Sequence, residues 1–426
     1  MVKKNSILII GSMARDHAVG WKLKQSPKVG KIYFAPGNPG TELIGESTGI
    51  GVLDNEQLVK FAIKHKIDLS ITSQDDALAG GVVNEFQKKG LKIFGATKES
   101  AQIESSKSFA KQLMQSENIP TAKFQTFKKA EDAINYVKKQ GAPIVIKASG
   151  LALGKGVTVA MTIDEALDAI DQIMVKKIFG IAGTEVVIEE YLEGKEISIH
   201  VFSDGNTYSI FPTSRDHKPI FDGNKGPNTG GMGTIAPVKK ISEKDLEIIE
   251  KEIVMPALAG LKKRGYPFIG CLYPGLMMTK SGPKVIEFNA RFGDPEMESY
   301  MRLLKTDLFE ILDACTEGIL SKIKINWAQK YACCIVIASA DYPASSHKGD
   351  VINGLEKYEK DKNIVVFHFA TKKENGNVVT NGGRVLGVTA TGLTLNKALK
   401  KANSAIGKNG IHFEGMQYRK DIGKIL

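Results

Sequence analysis

The chain has 426 residues, 42% hydrophobic and 25% charged, with a formal net charge of +11. That length predicts two to four domains of ordinary globular composition. No apolar run approaches the length of a bilayer crossing, and the lysines are dispersed along polar faces, as in "LVKFAIKHKID", with no basic block interleaved with aromatics; membrane and nucleic acid are therefore not expected partners.

The opening "MVKKNSILIIGSMARDH" carries too short an apolar run for a secretory signal, which predicts a cytoplasmic protein. The first hundred residues alternate strands ("SILIIG", "KIYFAPG", "IDLSITS", "LKIFGAT") with amphipathic helices ("HAVGWKLKQ", "NEQLVKFAIKHK", "AGGVVNEFQKKG"), the rhythm of a doubly wound parallel sheet. A helix-rich bridge over 100–120 closes at Pro120. From about 121 to 320 the pattern is mixed: helices at 129–140, 164–175 and 243–263, a strand-loop-strand over 144–160, and strands at 184–192, 269–278 and 284–289. A long loop, "SRDHKPIFDGNKGPNTGGMG", lies among them. The last hundred residues return to short strands and one helix, "TLNKALKKANSAIG". Expected domains are 1–104 (doubly wound α/β), 105–322 (central α+β) and 323–426 (a small mixed β domain). Cys271, Cys315, Cys333 and Cys334 lack metal-ligand spacing, and the adjacent pair in "YACCIVIASA" reads as buried thiols.

Two familiar nucleotide signatures are absent. "GLALGKGV" lacks the Ser or Thr after its lysine and runs into a strand, so it is no Walker loop. "GSMARDH" has Met13 and Asp16 where a dinucleotide fingerprint needs glycines. Three other segments carry chemistry. In "KVIEFNARFGDPE", strict alternation puts Val285, Glu287 and Asn289 on one face, Ile286 and Phe288 on the other, with Arg291 continuing the polar line. Two oxygens at i and i+2 suit an ion that also holds phosphates; an edge strand facing water gives the same pattern. "VVIEEYLEGKE" ends an apolar strand in carboxylates, as an ordinary strand-to-turn junction also does. "GPNTGGMG" spends four glycines in eight residues, which favours close backbone approach to a ligand.

Taken in order, the lysine strand, glycine loop, "EEYL" junction, "GPNTGGMG" and "EFNARFGDPE" resemble the ATP-grasp enzymes. More narrowly, "APGNPGT", "SSKSFAK", "KGDVINGL", "TNGGRVLGVTA" and "YRKDIG" resemble the phosphoribosylamine–glycine ligase family, over nearly the whole chain. The resemblance implies central ATP-grasp domains and an ADP-forming ligation of glycine to 5-phosphoribosylamine in purine biosynthesis. It implies ATP as substrate, Mg²⁺ or Mn²⁺ as metal, and a monomer or weak dimer acting on small molecules. It assigns Lys107, Lys147, Gly154, Lys155 and Gly156 to phosphates, the last three within a lid at 150–156. Glu189, Glu190, Tyr191 and Leu192 would read adenine, Glu196 would meet ribose, and Glu287 and Asn289 would hold metal. Gly11, Arg15, His17, Gly37, Asn38, Lys218, Asn228, Thr229 and Gly230 would bind the other substrates. Arg291, Lys147 and Asp216 would be catalytic.

The departures gather in the acceptor half. "GNGGREHA" is here "GSMARDHA", "GPEAPL" is "SQDDAL", Ser149 replaces an acid, and Pro274 interrupts "LYPGLM". Asp75 and Asp76 would then add two negative charges facing a sugar phosphate. A divergent ligase of the family and an ATP-grasp paralogue joining a small acid to a different amine both fit the sequence.

Overall fold

The computed structural model describes residues 4–152, 156–239 and 241–424. Five strands, Glu46–Ser47, Val29–Pro36, Asn5–Gly11, Leu69–Thr72 and Ile93–Phe94, form in that order a wholly parallel sheet. Its central strand, Asn5–Gly11, is apolar on both sides (Ile7, Leu8, Ile9 and Ile10 are all buried) because helices cover both faces. Helix Ala14–Leu23 springs from its carboxyl end, which is where a doubly wound sheet presents loops to ligands.

A four-stranded antiparallel sheet follows, ordered Phe124–Phe127, Val186–Glu190, Ile144–Ala148, Val157–Ala160. It packs on helices Ala130–Gln140 and Ile163–Ile170 around its own core of Ile146, Ile170, Val186 and Ile188. The expected helices at 164–175 and 243–263 each contain one π-helical turn, at Asp171–Val175 and Glu250–Val254. A second central sheet is built on the long strand Ile269–Thr279. This strand pairs on one side with Gly282–Asn289, and on the other with Val201–Asp204 and then Lys195–Ser198. Pro274 falls where the second side changes partner, between the Leu272–Val201 and Gly275–Ser198 pairs. A missing N–H is tolerated at such a break in the ladder.

The stretch read as one long loop contains strand Arg215–Asp216 and a hairpin of Pro219–Phe221 with Lys225–Asn228, and its last residue opens strand Gly233–Ala236. Gly233–Ala236 pairs with Tyr331–Ala338, so the C-terminal sheet, ordered Arg215–Asp216, Gly233–Ala236, Tyr331–Ala338, Arg384–Gly392, Ile364–His368, is antiparallel and reaches into the centre of the chain. Two- and four-residue strands rich in glycine carry too little alternation to be read in sequence. All four cysteines are buried and unpaired, as expected. No described helix is long and apolar enough to cross a membrane.

Candidate active site

Ser106 accepts through its hydroxyl from the Phe109 amide and starts helix Lys107–Ser116. Lys107 Nζ donates to the Gly150 carbonyl at 3.1 Å, which puts its ammonium at the base of the glycine loop. Gly150 must be small because a Cβ there would lie 2.7 Å from Ala182. Gly156 closes the loop through its carbonyl, which accepts from the Ala148 amide; Gly154 and Lys155 lie outside the described residues. Lys147, inside strand Ile144–Ala148, donates to the Ile286 carbonyl at 2.9 Å and pairs with Glu189 at 2.9 Å.

The other Glu189 oxygen pairs at 3.0 Å with Lys111, which also donates to Thr121 Oγ1 at 2.8 Å. Lys111 was absent from the sequence-based site. Its signal was its place four residues after Lys107, on the same helical face. Burial pulls its ammonium down to about 8, with Glu189 offsetting only part of that loss. Burial lowers Lys107 as well. Glu189 is thus buried between two cations. Glu190, by contrast, faces outward, accepting from the Lys123 amide and pairing with Lys284, each at 3.1 Å. Tyr191 is exposed and Leu192 half-buried beyond it.

Strand Gly282–Asn289 does not alternate as expected. Gly275 faces Glu287 and Leu276 faces Val285, so Ile286 is the extra residue of a β-bulge. Val285 therefore joins Phe288 in the core, while Glu287 and Asn289 remain two apart on the polar side. Arg291 donates to Asn289 Oδ1 at 2.9 Å and pairs with Glu104 at 3.0 Å; Glu104 also accepts from the Ala290 amide. Glu104 is a second residue the sequence did not single out. Burial raises its carboxyl, and the Arg291 charge holds part of that rise down. Burial would raise Glu287 too, but Lys218, Lys147, Lys107 and Arg291 together outweigh it and hold its carboxyl at about 2. Lys218 lies 3.5 Å from Glu287 and 3.6 Å from Glu196, and these acids hold its ammonium well above the usual range.

Among the described residues no three His, Cys, Asp or Glu side chains are placed together to hold a metal. Glu287 and Asn289 still fit one whose remaining ligands are phosphate and water, since both offer oxygen and Glu287 stays ionised.

Asp216 sits across this charge cluster, lining a small cavity with Glu196, Ser198, Lys218 and Tyr273. Burial and the neighbouring Glu296 push its carboxyl well up. Glu296 is itself anchored by Ser198 and Tyr273 hydroxyls at 2.9 and 2.7 Å. Gly231 lets the chain pass beside Asp216: its φ is +112°, and a Cβ there would lie 2.6 Å from Asp216 Oδ1. Thr229 fixes that turn, donating to the Lys218 carbonyl at 2.7 Å and accepting from the Gly231 amide at 2.9 Å. Gly230 bonds Tyr342 and Arg384 of the C-terminal part, and Asn228 is exposed on the hairpin.

At the N-terminal sheet, Arg15 Nη2 donates to Gln74 Oε1 at 3.2 Å, and Asp16 accepts from Ser73, Gln74 and the Met13 amide. Gly11 admits the Asp16 carboxyl, which would lie 2.2 Å from a Cβ. Gly37, at φ +80°, turns the chain into Asn38, whose amide group donates to the Ser12 and His368 carbonyls. His17 Nδ1 accepts from the His368 amide at 3.1 Å. The expectation that Asp75 and Asp76 both face a ligand is corrected. They are consecutive residues of helix Asp75–Ala79: Asp75 is half-buried and its charge acts on Arg291, while Asp76 is exposed and accepts from the Ala77 amide. Successive helical residues point about 100° apart.

Three profiles of one family match in sequence: the phosphoribosylglycinamide synthetase N domain over residues 5–104, its ATP-grasp (A) domain over 105–297 and its C domain over 332–425. The phosphoribosylamine–glycine ligase of Caldanaerobacter subterraneus subsp. tengcongensis is 46% identical over 416 residues, covering 98% of this chain and 99% of that protein. That of Neisseria meningitidis serogroup A is 47% identical over 418 residues, covering 98% of each. The crystal structure of the Thermotoga maritima phosphoribosylamine–glycine ligase superposes with a TM-score of 0.85 at 32% identity, covering 98% of this chain and 100% of that one. A Campylobacter jejuni biotin carboxylase, 18% identical with a TM-score of 0.73, shares the fold. The ATP-grasp architecture is therefore established, and the chain belongs to the phosphoribosylglycinamide synthetase family.

Proposed function

We propose that this chain joins glycine to 5-phosphoribosylamine, converting ATP to ADP and phosphate and yielding glycinamide ribonucleotide. The observation that carries the reading is the match along nearly the full chain to ligases of this name, at 46–47% identity. The charge cluster supports it: Lys107, Lys147, Lys218 and Arg291 all act on Glu287, a gathering of cations suited to polyphosphate.

In this reading Lys107 and Lys147 neutralise ATP phosphates beneath the 150–156 loop, the 189–192 junction reads adenine, and Glu196 meets ribose. Glu287 and Asn289 would hold Mg²⁺ or Mn²⁺, which supplies further neutralisation of the transferring phosphoryl group. A glycine carboxylate oxygen attacks the γ-phosphorus and the bond to ADP breaks, leaving glycyl phosphate. The phosphoribosylamine nitrogen then attacks the glycyl carbonyl carbon, loses a proton, and expels phosphate. Arg291, anchored by Glu104 and Asn289, steadies the anionic groups, and Asp216 with the 226–233 segment encloses glycine. A closed site protects the acyl phosphate from water. No enzyme nucleophile is required, and burial raises all four thiols out of the reactive range. The chain would act on these small molecules in the cytoplasm as a monomer or weak dimer.

The test is ADP release from ATP, glycine and freshly made phosphoribosylamine, omitting each in turn. Release should require all three. Equal release with phosphoribosylamine replaced by another amine overturns the assignment of the acceptor.

A further inference from the structure

Among the described residues Arg15 is a buried cation without an ion pair. It is 7% exposed, its Nε has no partner, and its one side-chain contact among the described residues is the long bond to Gln74. A carboxylate stands next to it in sequence: Asp16 is 1% exposed, and the Arg15 charge acts on it. The two do not pair because Gln74, 8% exposed, stands between them. Gln74 Nε2 donates to Asp16 Oδ2 at 2.6 Å, and Gln74 Oε1 accepts from Arg15 Nη2 at 3.2 Å. Chemistry fixes this orientation, since an ionised carboxylate can only accept and a guanidinium can only donate. Ser73 Oγ, at 2.7 Å, and the Met13 amide, at 2.9 Å, use the rest of the Asp16 carboxylate. Asp16 is thereby satisfied without taking the guanidinium.

We infer that Gln74 is a positioning residue that insulates Arg15 from Asp16 and leaves the Arg15 charge available to the phosphate of the amine substrate. The inference rests on the function proposed above. It also accounts for two departures together: an acid shortened to Asp16, and "SQ" at 73–74, meet in one hydrogen-bonded unit. The charged groups around the unit are Glu104, which feels Arg15, and Asp294, whose charge acts on Asp16. Neither lies within ion-pair distance of Arg15 among the described residues, so the guanidinium has no other counter-charge in contact. A buried unpaired cation is costly, and a site that gains a substrate dianion there recovers that cost on binding.

The test uses the full chain at pH 8, with ribose 5-phosphate as a stable probe of the sugar-phosphate site. Gln74→Met removes both hydrogen bonds at similar volume. Gln74→Glu keeps an acceptor for Arg15 but pairs it with a second carboxylate. Both variants should bind ribose 5-phosphate, read by thermal shift, at least about tenfold more weakly, and should raise the KM for phosphoribosylamine in proportion. The KM for ATP should stay within twofold. Should the Met variant fail to fold, the Glu variant carries the test alone. Native affinity for ribose 5-phosphate in a folded variant overturns the inference, as does a parallel rise in the KM for ATP, which marks general disorder. If the native protein releases no ADP, the proposed ligation fails, while ribose 5-phosphate binding still judges Gln74.

Discussion

Glu287 is the residue on which the electrostatics of the site converge, and its ionisation has consequences for both stability and turnover. Its carboxyl is held at about 2 against an ordinary 4.5 because four cations overcome its burial. A depressed carboxyl contributes stability that is complete above pH 4.5 and lost as pH falls toward 2. The stability difference between the native chain and Glu287→Gln should therefore narrow between pH 4.5 and pH 3, read by chemical denaturation. At neutral pH the same variant should retain its circular dichroism but lose at least about a hundredfold in kcat, the scale of removing one charge-stabilising group. Retention of full activity under the same Mg²⁺ would remove Glu287 from the metal site.

Elements rather than single residues decide how the loops reach this cluster. The 226–233 segment owes its path to Gly231, whose φ of +112° and contact with Asp216 leave no room for a side chain. Gly231→Ala should lower stability by about 1–3 kcal/mol and reduce ADP release. Gly51→Ala, where a Cβ meets nothing within 4 Å, should do neither. Matched thermal melts check both. Strands Ile144–Ala148 and Val157–Ala160, on either side of the glycine-rich segment, are antiparallel neighbours of one sheet. Hydrogen exchange in the 144–160 peptide should slow when an ATP analogue is added, and unchanged exchange would leave a plain hairpin.

Across the whole molecule, the parallel sheet and the C-terminal sheet meet at His17 and His368, far apart in sequence. The rings lie 5.7 Å apart, the His368 amide donates to His17, and Asn38 donates to the His368 carbonyl. Burial lowers His368 to about 4, and burial with the nearby His368 lowers His17 well below its ordinary value. An imidazole depressed in the folded state contributes stability that is complete above pH 6.5 and lost as pH falls toward the folded value. For His368 the ceiling is about 3 kcal/mol at 1.36 per unit. Asp16, raised by burial to about 6, acts in the opposite sense, favouring the fold as pH drops through 6. A variant comparison separates them: His368→Gln should lose less stability than the native chain between pH 6.5 and pH 4.5. An identical loss in both would show that this interface does not sense protons.

Periodicity alone determined the doubly wound N-terminal sheet, because long apolar strands and amphipathic helices each repeat at their own period. Motif order carried the resemblance to the family, because "SSKSFAK", "GPNTGGMG" and "EFNARFGDPE" are short local stretches legible without any distant partner. Lys107, Lys147, Glu287, Asn289 and Arg291 could be singled out on that basis. Tertiary structure decided what depends on partners distant in the chain. Strand Gly233–Ala236 exists because Tyr331–Ala338 accepts it, and four residues carry no period that could announce it. The bulge at Ile286 resets the faces of its strand through a register set by the facing strand. Lys111 pairs with Glu189, Glu104 with Arg291, and Gln74 parts Arg15 from Asp16, each across dozens of residues or more. A sequence records which charges are present; only packing determines which of them neutralise one another and which stay free for a ligand.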